Sequence, residues 1–273
     1  MTCGVSVVPR RESSTSAADD LLTKRRTSSD LLRVKLRPGA AERLTSRSEG
    51  VESLPNIYGM DTSIYPGDAS MDWYRLNCGF RYTGFYLAPA PLHQNTSWMD
   101  RRDHLAAQAW GFLPVYVGLQ IRSPNVSASV GAQHGQNATK LMGQAGFHSQ
   151  TICYLDLEDG TEPAGDYARY ISAWVSALTK ANYVPGIYCS HRIANWCREN
   201  TTYLWTFRLP RGTSGQTYPP AKIPKGLIVG GGVATQYRQN VFIRGKRTPI
   251  DLNVSLVADP SNLASVNAAL EVA

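Results

Sequence analysis

The feature that most constrains this chain is a rhythm. From residue 54 onward, short apolar runs alternate with longer stretches patterned for helix. The runs fall at 57–61, 80–87, 113–119, 151–157, 184–189, 203–207, 233–237 and 250–254. Helical patterning fills 68–76, 97–110, a segment ending near 145, then 166–180, 191–198 and 262–272. Within 166–180, Tyr170, Trp174, Val175 and Leu178 share one helix face. Parallel strands need a long crossover between them, normally a helix. Eight strands with helices between most of them predict an α/β fold, either a (β/α)8 barrel or a doubly wound sheet. A nucleotide-binding sheet would open one helix with a glycine-rich phosphate loop. No GxGxxG, GxxxxGKS or GxxxxGKT does so, and Gly230-Gly231-Gly232 lacks both the Lys and the helix. No dinucleotide or other cofactor is therefore expected.

The segment before the rhythm has a different composition. Residues 1–50 contain no Phe, Tyr or Trp and are rich in Ser, Thr and Arg. They carry ten Lys or Arg against six Asp or Glu, more than half of the chain's net charge of +7. Such a segment buries too little apolar surface to offset its ordering entropy. Residues 1–53 are read as a disordered basic tail, with 54–273 as one barrel domain. The tail suits weak contact with anionic polymers or membranes. The mildly basic body argues against a dedicated nucleic-acid groove. Arg10-Arg11 and Arg25-Arg26 raise a twin-arginine signal, but no apolar stretch of the required length follows either pair. No run of apolar residues is long enough to predict a transmembrane helix. Cys3, Cys78, Cys153, Cys189 and Cys197 fit no metal spacing and no disulfide framework, and the five His are scattered. No metal site is expected.

The chemistry-bearing candidates are carboxylates at strand ends. In Tyr154-Leu155-Asp156-Leu157-Glu158 the strand period of two puts Asp156 and Glu158 on one face and the two Leu on the other. Two carboxyl groups at that spacing can divide acid and base or nucleophile roles at a glycosidic bond. Asp61 ends the first strand, and Asp251 lies in the last. In a barrel these four converge on one mouth, at the C-terminal ends of the strands. Trp205 and Tyr237, near strand ends, are candidates for stacking on sugar, while Tyr86 and Tyr188 either line the mouth or fill the barrel.

These residues carry a resemblance. Gly59-Met60-Asp61-Thr62-Ser63, the Asp156-Leu157-Glu158 triplet, and Gln236-Tyr237 followed by Ile250-Asp251-Leu252-Asn253 are similar to motifs of the family 25 glycoside hydrolases, the Chalaropsis-type lysozymes. Phe85-Tyr86-Leu87, Pro114-Val115-Tyr116-Val117-Gly118, Gly186-Ile187-Tyr188-Cys189-Ser190 and Tyr203-Leu204-Trp205 resemble a related bacterial glycoside-hydrolase-like domain of unknown function. The resemblance implies a TIM-like (β/α)8 barrel, with room for irregularity in its last two units. It implies a glycan substrate, peptidoglycan or a related cell-wall polymer, and action outside the cell or in its envelope. Carried over, Glu158 is the acid, Asp156 stabilises the intermediate, and Asp61 and Asp251 hold substrate and tune the pair. Tyr86, Tyr188, Trp205, Gln236 and Tyr237 would bind substrate. Two departures stand out: Thr235 precedes Gln236 where the lysozymes carry Trp, and Thr206-Phe207-Arg208 fits their pattern only partly. The alternatives are a non-catalytic glycan- or partner-binding barrel that keeps the cleft, and a delivery protein whose basic tail is the working part.

Overall fold

The computed structural model describes residues 56–272, so the reading of the tail falls outside the described residues. The rhythm resolves into β1 (Ile57–Asp61), α1 (Asp68–Cys78), β2 (Tyr82–Tyr86), α2 (Arg102–Ala107), β3 (Gly111–Tyr116), α3 (Ala128–Gln144), β4 (Ile152–Asp156), α4 (Gly165–Lys180), β5 (Val184–Ser190), α5 (Ala194–Arg198), β6 (Tyr203–Phe207), β7 (Thr217–Tyr218), β8 (Ala234–Ile243), β9 (Ile250–Ser255) and α6 (Leu263–Leu270). Strands β1 to β6 pair in chain order and in parallel. β6 pairs in parallel with β8, β8 antiparallel with β9, and β9 antiparallel with β1, which closes an eight-stranded barrel. The short β7 lies beside β8, outside the ring.

The closed barrel decides between the two folds the rhythm allowed. The irregularity falls in the last units: no helix separates β8 from β9, and β9 runs against its neighbours. Asp251 therefore reaches the mouth from the N-terminal end of an antiparallel strand, not from the C-terminal end of a parallel one. Register puts it directly opposite Asp61. A second correction concerns the helix expected over 97–110. Only Arg102–Ala107 is helical, and Trp98 and Trp110 are buried from turns on either side.

Alternation along the strands sorts side chains into two cores. Outward residues such as Met60, Phe85, Leu155, Ile187 and Leu252 pack beneath the helices. α4 buries Tyr167, Tyr170, Ile171, Trp174 and Leu178 there. Fully burying an aliphatic side chain such as Ile171 or Leu178 contributes about 1.5–3 kcal/mol. Inward residues fill the barrel: Tyr82, Leu113, Val115, Ile152, Tyr154, Tyr188 and Trp205. α6 closes the end where the strands start. Its N-cap Asn262 accepts from Ser265 N, Val266 inserts into the inner core, and Ile152 N bonds Ser261 O just before the helix. The opposite end has no such plug, and the site lies there.

Candidate active site at the barrel mouth

β4 delivers the first pair. Ile152 and Tyr154 point inward, so the alternation carries Asp156 and then Glu158 to the inner face above them, while Leu155 and Leu157 join the outer core. The Asp156 and Glu158 carboxyls line one cavity and influence each other's ionisation. Asp156 is buried, which together with the Glu158 charge pushes its pKa well above the usual carboxylate range. Glu158 is exposed toward the cleft but walled by its neighbours, and that crowding raises its pKa too.

β1 and β9 deliver the second pair. Asp61 is buried, and close approach of the strands depends on Gly84, where a Cβ would come within 2.5 Å of the Asp61 Cβ. Burial raises the Asp61 pKa to about 6 despite two donors that favour its charged form. Asn253 Nδ2 donates to Oδ2 at 2.7 Å and Tyr86 OH to Oδ1 at 2.8 Å. Asn253 is held in turn by Trp205, whose Nε1 donates to Asn253 Oδ1 at 2.9 Å. Asp251 has its pKa raised to about 8, first by burial and then by the Asp61 charge. Gln236 Nε2 donates to its Oδ2 at 2.7 Å, and Tyr188 OH donates to Gln236 Oε1 at 2.6 Å. A register shift in β8 turns the Asn240 N–H onto Asp251 Oδ1 at 2.6 Å. Bulges at barrel rims often re-aim groups in this way.

A cavity of about 470 Å³ opens over these groups and is lined by Asp61, Asp156, Glu158, Asp251 and Tyr86. Its rim is supplied by Ile64, Leu92, His93, Gln239, Asn240 and Thr248. The β1–α1 loop that forms part of it is tied down by Trp98, whose Nε1 donates to Thr62 O at 3.0 Å. A small adjoining recess reaches Tyr188, Trp205 and Gln236. A larger cavity of about 730 Å³ lies at the opposite end, beside α6. Its carboxylate, Asp259, is occupied by Phe112 N, Ser261 N and Ser261 Oγ, so the four-carboxylate mouth is the better chemical candidate. Among the described residues no group of three or more His, Cys, Asp or Glu side chains is placed to hold a metal ion.

Eight of the nine residues singled out from sequence meet at this mouth, and one does not. Tyr237 comes directly after Gln236, so the strand period turns it outward. It packs edge-on against Tyr58, and its OH donates to Pro224 O at 2.8 Å. Trp205 does meet the site, but as its floor. It is 1% exposed and covered edge-on by Tyr188, which makes it no open platform for a sugar. Sequence reasoning missed Asn253, although its i+2 relation to Asp251 puts it on the same face. Gln120 had no visible signal. Its side chain bridges Asp156 O and Glu158 N.

The fold has recognisable counterparts among solved structures. An uncharacterized B. stearothermophilus protein aligns at 20% identity with a TM-score of 0.55, over 74% of this chain and 98% of that one. The Mycobacterium tuberculosis Tat-secreted protein Rv2525c, solved with L-tartrate, aligns at 16% identity and 0.52, over 74% and 95%. The Streptococcus pneumoniae virulence factor GHIP, a glycosyl hydrolase 25, aligns at 12% identity and 0.50, over 73% and 86%. At these identities the likeness speaks for the fold alone. No curated protein matches the chain by sequence. The sequence model of the Rv2525c-like, glycoside hydrolase-like domain does match, over residues 72–253, from α1 into β9, and the chain belongs to that family.

Proposed function

We propose that this barrel is a glycoside hydrolase acting on peptidoglycan or a related cell-wall glycan, with Glu158 as the general acid. The observation that carries the reading is the shared mouth: four carboxyl groups, each with a raised pKa, around one open cavity. A general acid must hold its proton near working pH, and burial among like charges has that effect. Asp156 and Glu158 stand two residues apart on the same face and line one cavity, so they approach a bound sugar from one side. Glu158, on the cleft side, then protonates the leaving oxygen. Asp156 behind it stabilises the positive charge that develops, on an oxocarbenium centre or on an oxazolinium ring formed by the substrate's own acetamide. Asp61 and Asp251 hold substrate hydroxyls, and the Asp61 charge helps to keep the Asp156 pKa high. GHIP, described as a glycosyl hydrolase 25, supports the reading through its shared fold.

The second reading is a barrel that binds glycan or a partner without turnover. The buried floor favours it, since Trp205 and Tyr188 are 1% and 6% exposed and leave Tyr86 as the more open ring. The test is release of reducing ends from peptidoglycan and chitin oligomers by the purified full chain. Wild type should turn over, and Glu158→Gln should lose at least about a hundredfold. Equal, negligible release by both proteins removes the hydrolase reading. Binding that persists in Glu158→Gln beside an inactive wild type establishes the second.

A further inference from the structure

We infer that Gln120 is a positioning residue that holds Glu158 in place, an inference that rests on Glu158 being the acid. The need for such a residue arises where the strands stop. β3 ends at Tyr116, whose last register partner on β4 is Leu155. The chain then turns away, with Gly118 N bonding back to Tyr116 O. β4 continues on its other side, where Leu157 N donates to Tyr188 O at 2.9 Å. On the β3 side, Asp156 O and Glu158 N have lost their strand.

The Gln120 side chain supplies what the strand would have supplied. Its Nε2 donates to Asp156 O at 2.9 Å, and its Oε1 accepts from Glu158 N at 3.0 Å. A residue on a parallel neighbour makes this same pair of bonds, one to each side of the residue it faces. The primary amide thus stands in for a peptide group beside Leu157. Only one orientation of the amide works, because the reversed one sets donor against donor and acceptor against acceptor. The Glu158 side chain is the first of the site beyond the last residue of β4, and this clamp keeps it on the inner face.

Gln120 is itself fixed. Its N–H donates to Ser123 Oγ at 2.9 Å, and Ser123 N returns a bond to Gln120 O at 2.8 Å. One residue earlier, Leu119 N donates to the Tyr170 hydroxyl at 3.1 Å. That hydroxyl also meets His134 Nδ1 at 2.9 Å, so α3 and α4 both hold the loop. Gly118 is required by the same contact, since a Cβ there would come within 2.4 Å of the Tyr170 oxygen. The clamp is therefore anchored on the helical layer and does not float with the mouth.

Two variants test it in the full chain. Gln120→Leu removes both bonds at nearly constant volume. Gln120→Glu keeps an acceptor for Glu158 N, loses the donor to Asp156 O, and adds a charge beside Glu158. Amide hydrogen exchange at Glu158 reads the clamp without any reference to turnover. The Glu158 amide should exchange faster by about tenfold or more in Gln120→Leu and stay protected in Gln120→Glu. On peptidoglycan, kcat should fall by about 10- to 100-fold in Gln120→Leu with KM little changed. In Gln120→Glu the alkaline limb of the pH profile should move to higher pH, because a second carboxylate disfavours ionisation of Glu158. Unchanged exchange at Glu158 in Gln120→Leu overturns the clamp whether or not the protein turns over glycan. Faster exchange with unchanged kcat in an active protein overturns the positioning role. An inactive wild type whose Gln120→Leu exchange behaves as stated removes the hydrolase reading, and the catalytic part of this inference with it, but leaves the clamp.

Discussion

The two ends of the barrel interior come from the same strands by the same alternation, yet they solve opposite problems. At the base, inward residues are apolar or aromatic, and α6 seals them with Val266. One polar group there, the Tyr154 OH, ends on Pro260 O at 2.9 Å. At the mouth the same inward positions carry Asp61, Asp156, Asp251, Gln236 and Asn253, all packed close and little hydrated. Trp205 divides the two ends: its ring belongs to the inner core, and its N–H serves Asn253 and through it Asp61. The base stabilises the barrel by burying apolar surface. The mouth does the reverse, because keeping carboxyl groups away from water costs free energy unless they stay protonated or find donors. The sealed floor helps to keep the mouth's carboxyl pKa values raised, since water beneath the carboxylates would return them toward normal.

The largest effect comes from removing the divider. Trp205→Ala should cost about 3–5 kcal/mol in chemical denaturation, as for other buried aromatics. Ile152→Ala, at the base, should cost a comparable amount of about 2–5 kcal/mol. The two variants should part in a carboxyl titration followed by NMR. Trp205→Ala admits water below Asn253 and should lower the pKa of Asp61 from about 6, while Ile152→Ala should leave it in place. If both variants leave the mouth's titration untouched, the floor does not set it.

Next in size is the pH dependence of stability. Asp251 has a folded pKa of about 8, above the value near 4 expected for an unfolded chain. The folded state then holds a proton that the unfolded state has released. The stability this contributes is complete below about pH 4 and is lost as pH rises through about 8. Asp61, raised to about 6, acts in the same direction over the lower part of that window. Melting temperature should fall between those limits. Asp251→Asn should flatten the slope and make the protein more stable at pH 8 by on the order of 1–3 kcal/mol, after discounting for partial exposure. A wild-type melting temperature that rises from pH 5 to pH 8 contradicts the assignment.

Much of the barrel is legible in the chain because strand period and connection length are written directly in the residues. The eight apolar runs, their order, and the shared face of Asp156 and Glu158 all come from alternation. The antiparallel entry of β9 has a local sign too, since the span between Ile243 and Ile250 is too short for a parallel crossover. Polar Arg238, Gln239 and Asn240 conceal the length of β8, because they occupy the irregular stretch and leave the apolar pattern. Reading Gln236 and Tyr237 together as a motif misplaces Tyr237, because adjacent strand residues cannot share a face. Trp205 resembles a platform in the sequence because a strand-end aromatic looks alike whether it opens to the cleft or lies under another ring. Gln120 is out of reach. Its role depends on a loop path fixed by Tyr170, fifty-one residues from Leu119, and no local pattern announces a side chain replacing a strand.

The smallest effects make the sharpest use of that misplaced residue. Tyr86 and Tyr237 are both strand tyrosines whose hydroxyls donate one bond each, at 2.8 Å in both cases. Tyr86 donates to Asp61 at the mouth, and Tyr237 donates to a main-chain carbonyl outside the barrel. Each Tyr→Phe change removes one oxygen and should cost about 1 kcal/mol or less in stability. The consequences for titration differ in kind. The Tyr86 hydroxyl favours the ionised form of Asp61, so Tyr86→Phe should raise the Asp61 pKa by about one pH unit above its value near 6. If Asp61 holds substrate, turnover below neutrality should change with it. Tyr237→Phe should leave both the titration and the pH profile unmoved. A shift of the Asp61 titration in Tyr237→Phe would mean that the outer layer couples to the mouth through Tyr58 and β1, and the alternation that separates the two faces would no longer account for which residues make the site.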